Sequence, residues 1–225
     1  MTVSRLALLF CLLAPLAAPA QETPPPRPKD SPPQAGPSPQ SSALKNWGRF
    51  FRTVERANYQ PPTAAERWEI YWRSTYASPG VFFRAAGPAL GDHLNHRPDT
   101  WPQGAEGYAR RFANRFARFT LQDSISHASS AALGYETRYV RCGCQGFFRR
   151  FGHALAWNFL TLDRHGHTVV NAPRVGAAFA AEFIGNAWMP RGYRTTAEAF
   201  RGVGVQLGVG ALFNTVREFA PRRRP

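Results

Sequence analysis

Residues 104–133 read GAEGYARRFANRFARFTLQDSISHASSAAL, a run free of proline and bounded by Pro102 and Gly134. Tyr108, Phe112, Phe116 and Phe119 recur at three- and four-residue intervals, which places them on one face of an α-helix. Arg110, Arg111, Arg115 and Arg118 fall mostly on other faces. This predicts one long helix with an aromatic core stripe and a solvated basic side. Its second half, from Thr120 to His127, turns polar and small, and Gly134 supplies the stop.

Helical patterns continue on both sides of this run. Downstream, the spacing predicts helices over 147–162, 173–188 and 196–219, with a turn at 163–167 that can form a short hairpin with 168–170. The last two are rich in small residues: Gly176, Ala177, Ala180, Ala181 and Gly185 in one, Gly202, Gly204, Gly208 and Gly210 in the other. Gly204 and Gly208 form a small-x-x-x-small repeat, which lets helix backbones approach closely. The uncharged stretch from Gly202 to Val216 is shorter than a bilayer span of about 20 residues, and Glu182 interrupts the other helix. A helical bundle follows, not a pair of membrane spans.

Upstream, Thr63-Ala64-Ala65-Glu66 is a capping box opening a helix through Tyr76, with Trp68, Tyr71, Trp72 and Thr75 on its buried side. Ser78-Pro79 starts a third helix from Val81 to Leu90, kinked or ended at Gly87-Pro88, and a loop runs from Asn95 to Gln103. The stretch from Leu44 to Tyr59 sorts Leu44, Trp47, Phe51 and Val54 from Lys45, Arg49, Arg52 and Arg56, as an amphipathic helix would. The expected fold is all-α: a single compact bundle of six to seven helices with close-packed Gly/Ala-rich helices at its C-terminal end.

The first residues carry Arg5, an apolar run from Leu6 to Ala14, and Ala18-Pro19-Ala20. That order reads as a signal peptide over 1–20, cleaved before Gln21. Residues 21–43, dense in proline, read as a disordered linker; 44–219 hold the helical domain, and 220–225 form a basic tail. The formal charge is +14, and all but Lys29 and Lys45 of the 28 basic residues are arginine. In an exported protein this charge points to lipid headgroups or another envelope polyanion, and not to nucleic acid. Export also permits a disulfide between Cys142 and Cys144, whose C-x-C spacing closes a small ring.

The motifs Gln103-Gly104-Ala105-Glu106-Gly107-Tyr108, Thr137-Arg138-Tyr139, Gly152-His153-Ala154-Leu155 and Phe213-Asn214-Thr215-Val216-Arg217-Glu218-Phe219 resemble those of a family of uncharacterised exported bacterial proteins. The similarity covers about residues 63–221. It departs at Glu136-Thr137, where the family has Asp-Pro, and at Ala220, where it has Trp. The resemblance implies export and one all-helical domain, and carries no activity or cofactor.

Four residues are candidates for chemistry. Asp123 and His127 lie one helical turn apart, and His153 and Glu182 sit within two other apolar helices. Converging, the four would make an acid-base or metal-binding cluster; apart, each would be satisfied by local partners. His165-Gly166-His167 reads as an exposed polar turn. No G-x-S-x-G elbow, Walker loop or H-E-x-x-H occurs, which disfavours the common hydrolases and nucleotide enzymes. No cofactor or metal is implied, and oligomeric state stays open. The expectation is a non-enzymatic envelope protein that binds an anionic surface or partner through Lys45, Arg49, Arg52 and Arg56; the alternative is a hydrolase built on Asp123, His127, His153 and Glu182. N-terminal sequencing of the protein recovered from an expressing cell's envelope fraction should give Gln21 as the first residue; an intact Met1 there would refute cleavage.

Overall fold

The computed structural model describes residues 53–220. Within them the chain folds into six α-helices: α1 (Ala64–Thr75), α2 (Pro79–Leu94), α3 (Gly104–Leu133), α4 (Phe147–Ala156), α5 (Ala172–Gly185) and α6 (Thr196–Phe219). Two small strand pairs join them. Strand β1 (Thr53–Glu55) pairs in parallel with β2 (Tyr139–Arg141), and β3 (Leu160–Leu162) forms an antiparallel hairpin with β4 (Thr168–Val170). The fold is all-α, as the periodicity predicts.

Helix α3 is the hub, with α1, α2 and α5 packed along it, while α6 packs on α5 and α4. Its limits are those read from the sequence, and Gly134 ends it in a left-handed conformation at φ 72°. Its faces, however, are assigned the other way round. Arg111, Arg115 and Arg118 are buried, together with Asn114, Gln122 and Asp123, whereas Tyr108, Phe112 and Phe116 remain partly exposed and only Phe119 is fully buried. The basic stripe is the core stripe. A buried guanidinium is tolerated only when its donors are satisfied. Arg111 accordingly donates to the carbonyls of Arg97, Pro98, Trp101 and Pro102, at 2.8, 3.0, 3.4 and 2.9 Å, and so folds the 95–103 loop around itself. Arg115 grips Asp92 of α2 through two bonds of 2.6 and 2.9 Å. Arg118 pairs with the Glu182 carboxylate of α5 and donates to the Glu182 carbonyl at 3.0 Å. Burial pulls the Arg118 pKa below its usual value, against the opposing pull of Glu182.

Glycines make room for these side chains. A Cβ at Gly185 would lie 2.6 Å from the Arg118 guanidinium carbon, one at Gly202 would overlap the Glu182 carboxylate, and one at Gly107 would overlap the Pro102 carbonyl. Gly204 and Gly208 face open space, so the small-x-x-x-small pair does not mediate the α5–α6 contact. Ala177, Ala178, Ala181 and Ala199, all buried, let these two helices pack closely instead.

Other boundaries differ from the sequence reading for local reasons. The amphipathic helix expected over 44–59 is not continued into the described residues: Thr53–Glu55 is a strand, because its β-branched pair finds a partner in Tyr139–Arg141, and Arg56–Asn58 is a 3₁₀ turn. Residues 44–52, the signal peptide, the linker and the tail from 221 lie outside the described residues. In α1 the capping box is present, with Thr63 Oγ1 accepting from Glu66 N–H and the Glu66 carboxylate accepting from Thr63 N–H. Yet Trp68 and Trp72 point outward, and Ile70 and Thr75 point in. Helix α2 runs through Pro88 to Leu94 instead of ending there, and α4 ends at Ala156, with a turn over 157–159 leading into the hairpin at Leu160.

Replacing Gly107 with Ala should lower the unfolding free energy by about 3 kcal/mol, an overpacking cost. Gly204→Ala should raise it by about 0.5 kcal/mol, the helix-propensity gain at an open site. Denaturant unfolding of the two variants measures both; equal effects would contradict the assignment of glycine roles.

Candidate anion site

A cavity of about 430 Å³ opens between α1, α2, α3, α5, α6 and the segment 136–139. Three helices send arginines to it: Arg84 from α2, Arg174 from the first turn of α5 and Arg217 from the last turn of α6. Arg73 and Arg138 also reach its wall, so five guanidiniums meet two carboxylates, Asp123 and Glu136.

Both carboxylates are already engaged. Asp123 receives two bonds from Arg84, at 3.0 and 2.9 Å, and one from Thr75 Oγ1 at 3.3 Å. Arg84 also lies 3.8 Å over the Phe119 ring, which fixes it from the other side. Burial opposes ionisation of Asp123, but the Arg84 charge and its hydrogen bonds outweigh burial and hold the carboxyl below its usual range. Glu136 accepts from Arg138 twice, at 2.9 and 2.7 Å, and from the backbone N–H groups of Thr137 and Arg138.

Arg174 and Arg217 are different. Among the described residues neither side chain makes a hydrogen bond or an ion pair, and the Nε of each is buried without a partner. Both keep some accessible surface. Both line the cavity, so they are reachable from it. Desolvation lowers both pKa values to about 10, and the Arg84 charge pushes in the same direction. Both remain protonated at neutral pH. Gly210 gives Arg174 its place, since a Cβ there would collide with the guanidinium. The uncharged part of the wall includes Ile70, Phe213, Ser126 and Asn171.

The four residues proposed for chemistry do not converge. Asp123 and His127 line this cavity; His153 and Glu182 do not. His153 Nε2 lies 2.8 Å from the Val140 carbonyl and its ring stacks on Trp157 at 4.0 Å. Glu182 is held by Arg118 and Gln206. Among the described residues no group of three or more His, Cys, Asp or Glu is placed to hold a metal. His127 Nε2 is 3.5 Å from Ser74 Oγ, too far for a strong bond, and that hydroxyl donates to the Tyr71 carbonyl. Among the described residues no carboxylate accepts from His127; Asp123, one turn away, is bonded to Arg84 and Thr75 instead. Burial lowers the His127 pKa; Asp123 opposes this, and Arg84, Arg67 and Arg174 reinforce it.

Elsewhere, Asp163 ties the hairpin turn together by accepting from His165 and His167 backbone N–H groups, and both histidine side chains serve that turn's surface. Cys142 and Cys144 are joined by a disulfide, as their spacing allows. Of the surface-binding candidates, Lys45, Arg49 and Arg52 lie outside the described residues, and Arg56 is exposed in its 3₁₀ turn.

Sequence reading did not single out Arg84, Arg174 or Arg217. The available signal was isolation: Arg84 is the only formal charge between Pro79 and Gly91, and Arg174 the only one between Ala172 and Ala181. Compared with protein-family models, with curated proteins and with solved structures, the chain matches none.

Because folded His127 resists protonation, the unfolded chain binds more protons as pH falls below the ordinary histidine value of 6.5, so stability declines with acidification there. Asp123, with its lowered pKa, adds a further loss below the ordinary value of 3.8. In urea unfolding followed from about pH 7 to 5, the variant His127→Gln should flatten the decline; an unchanged slope would place the titration elsewhere.

Proposed function

We propose that this chain is an exported, non-enzymatic envelope protein that binds an organic anion in the cavity, its acidic group held between Arg174 and Arg217. The observation that carries this reading is the pair of desolvated guanidiniums that form no ion pair among the described residues. Asp123 favours both charges from a distance, but desolvation and the neighbouring Arg84 outweigh it, which is unfavourable in the empty protein. A carboxylate or phosphate ester supplies the missing charge, and guanidinium geometry suits both bidentately.

The volume falls within the range of about 300–1,000 Å³ usual for organic ligands, and Ile70 and Phe213 offer contact to an apolar portion. Binding without turnover is favoured because the Asp123 carboxylate is occupied by Arg84 and Thr75 and, among the described residues, no carboxylate is bonded to His127. The signal-like segment 1–20 supports an extracytoplasmic site of action, and Lys45, Arg49, Arg52 and the terminal arginines 222–224 support attachment to an anionic surface.

Calorimetric titration with short-chain alkyl phosphates and carboxylates should show saturable binding, weakened about ten- to hundredfold in Arg174→Gln and in Arg217→Gln, the loss expected for a charged hydrogen-bonding partner. The same variants should melt at a higher temperature than the parent when no ligand is present, because an uncompensated charge has been removed. Affinity unchanged in both variants would refute the assignment.

A further inference from the structure

The Cys142–Cys144 disulfide lies in the irregular segment 142–145, between the end of β2 and the N-terminal end of α4. Both cysteines are part-exposed, and Gly143, Gln145 and Gly146 around them are exposed. A disulfide stabilises a fold chiefly by restricting the unfolded chain, and that restriction grows with the length of the loop it closes. The two cysteines are only two positions apart, so this bond closes a very short loop. As a structural staple it does little.

The segments on either side are held without it. Ahead of the disulfide, β2 pairs with β1, and Arg141 donates to the carbonyls of Arg217 and Ala220 at 2.8 and 3.0 Å. Behind it, the Arg150 Nε of α4 donates to the Glu218 carboxylate at 3.0 Å, and His153 Nε2 lies 2.8 Å from the Val140 carbonyl. Glu218 is buried, and its carboxylate also accepts from the Cys142 N–H at 3.1 Å. The end of α6 thus ties both flanks together. Opening the S–S bond leaves those flanks in place, with the two Cα atoms 5.1 Å apart, a separation from which the bond can re-form.

We propose that Cys142 and Cys144 form a thiol–disulfide exchange site, which passes its disulfide to a cysteine pair of an unfolded polypeptide. Exposed disulfides are the exchangeable ones, because an incoming thiolate must reach a sulfur. An unfolded chain also presents apolar side chains, and an apolar surface adjoins this bond. Phe147 and Phe148, which follow Cys144 closely in sequence, are 60% and 86% exposed, and Phe147 is in ring contact with Phe151 and Phe219. In the exchange, one thiolate of the incoming pair attacks a sulfur of the bond. The S–S bond breaks, a mixed disulfide forms, and the other cysteine leaves as a thiolate. The second incoming thiolate then attacks its own partner's sulfur in the mixed disulfide, and the polypeptide departs oxidised. Its two electrons remain on Cys142 and Cys144, which take up the two protons that the incoming thiols released. This site is independent of the ligand in the cavity.

The test uses the full chain carrying Cys11→Ser, in which Cys142 and Cys144 are the only cysteines. It is mixed with a reduced, unfolded polypeptide bearing two cysteines, and free thiols are alkylated and counted by mass over time. The polypeptide should lose two thiols as Cys142 and Cys144 gain two. Reduction by glutathione in a parallel sample should leave the helical circular dichroism unchanged. The double variant Phe147→Ser/Phe148→Ser should slow transfer to the polypeptide about tenfold while its reduction by glutathione keeps the parent rate. Three outcomes would overturn the proposal: a bond that survives both the polypeptide and excess reduced glutathione; loss of helix on reduction, which would make the bond a structural one; or a polypeptide rate that the double variant does not change.

Discussion

The burial of α3's arginines is the constraint on which the rest of this structure depends. Arg111, Arg115 and Arg118 succeed one another along the inner face of the central helix, and each must find acceptors because none is left to water. Meeting that demand positions the neighbouring elements. Arg111 draws in the carbonyls of the 95–103 loop, Arg115 fixes α2 through Asp92, and Arg118 fixes α5 through Glu182. Asp92 and Glu198 then extend the network to Arg201 and Arg97, which joins α6 to α2 and the loop. Ion pairs of this kind add little net stability over an apolar core of equal volume, but breaking one leaves a buried charge and costs about 3–5 kcal/mol. They therefore specify which helices meet more strongly than they stabilise the result.

A polar core also explains the composition of α5 and α6. A guanidinium or carboxylate lying across a neighbouring helix requires a position without Cβ, and Gly185, Gly202 and Gly210 supply it for Arg118, Glu182 and Arg174. The helix-propensity penalty of these glycines, about 1 kcal/mol each relative to alanine, is offset by the ionic contacts they admit. The outward glycines have no such role in the described residues.

The cavity arises where this pairing scheme runs out of acids. Asp123 and Glu136 are each engaged by an arginine, and among the described residues Arg174 and Arg217 line the cavity with no ion pair of their own, only the more distant charge of Asp123 favouring them. These two arginines, together in the wall of one cavity, are what the proposed anion binding rests on. The outward aromatic residues are the complementary consequence: with charges drawn to the inside of α2 and α5, apolar side chains are what remains for their exteriors.

The sequence by itself determined the helices and most of their limits, because capping boxes, Gly134 and the 3.6-residue period are local signals: Thr63 and Glu66 close the same box in the structure as on the page, and α3 begins and ends where its pattern does. Which face of each helix turns inward was decided only by tertiary structure. Periodicity locates two stripes on a helix, and the rule that the apolar one is buried fails here, for α3's arginines and for Trp68 and Trp72 of α1 alike. The burial of a charge depends on partners far away in sequence: Glu182 lies 64 residues from Arg118, and no window along the chain contains both. The candidate site was hidden for the same reason. Asp123 and His127 were legible as a helical pair, whereas Arg84, Arg174 and Arg217 reach one cavity only once three helices have packed, and the significance of the last two lies in partners they lack among the described residues.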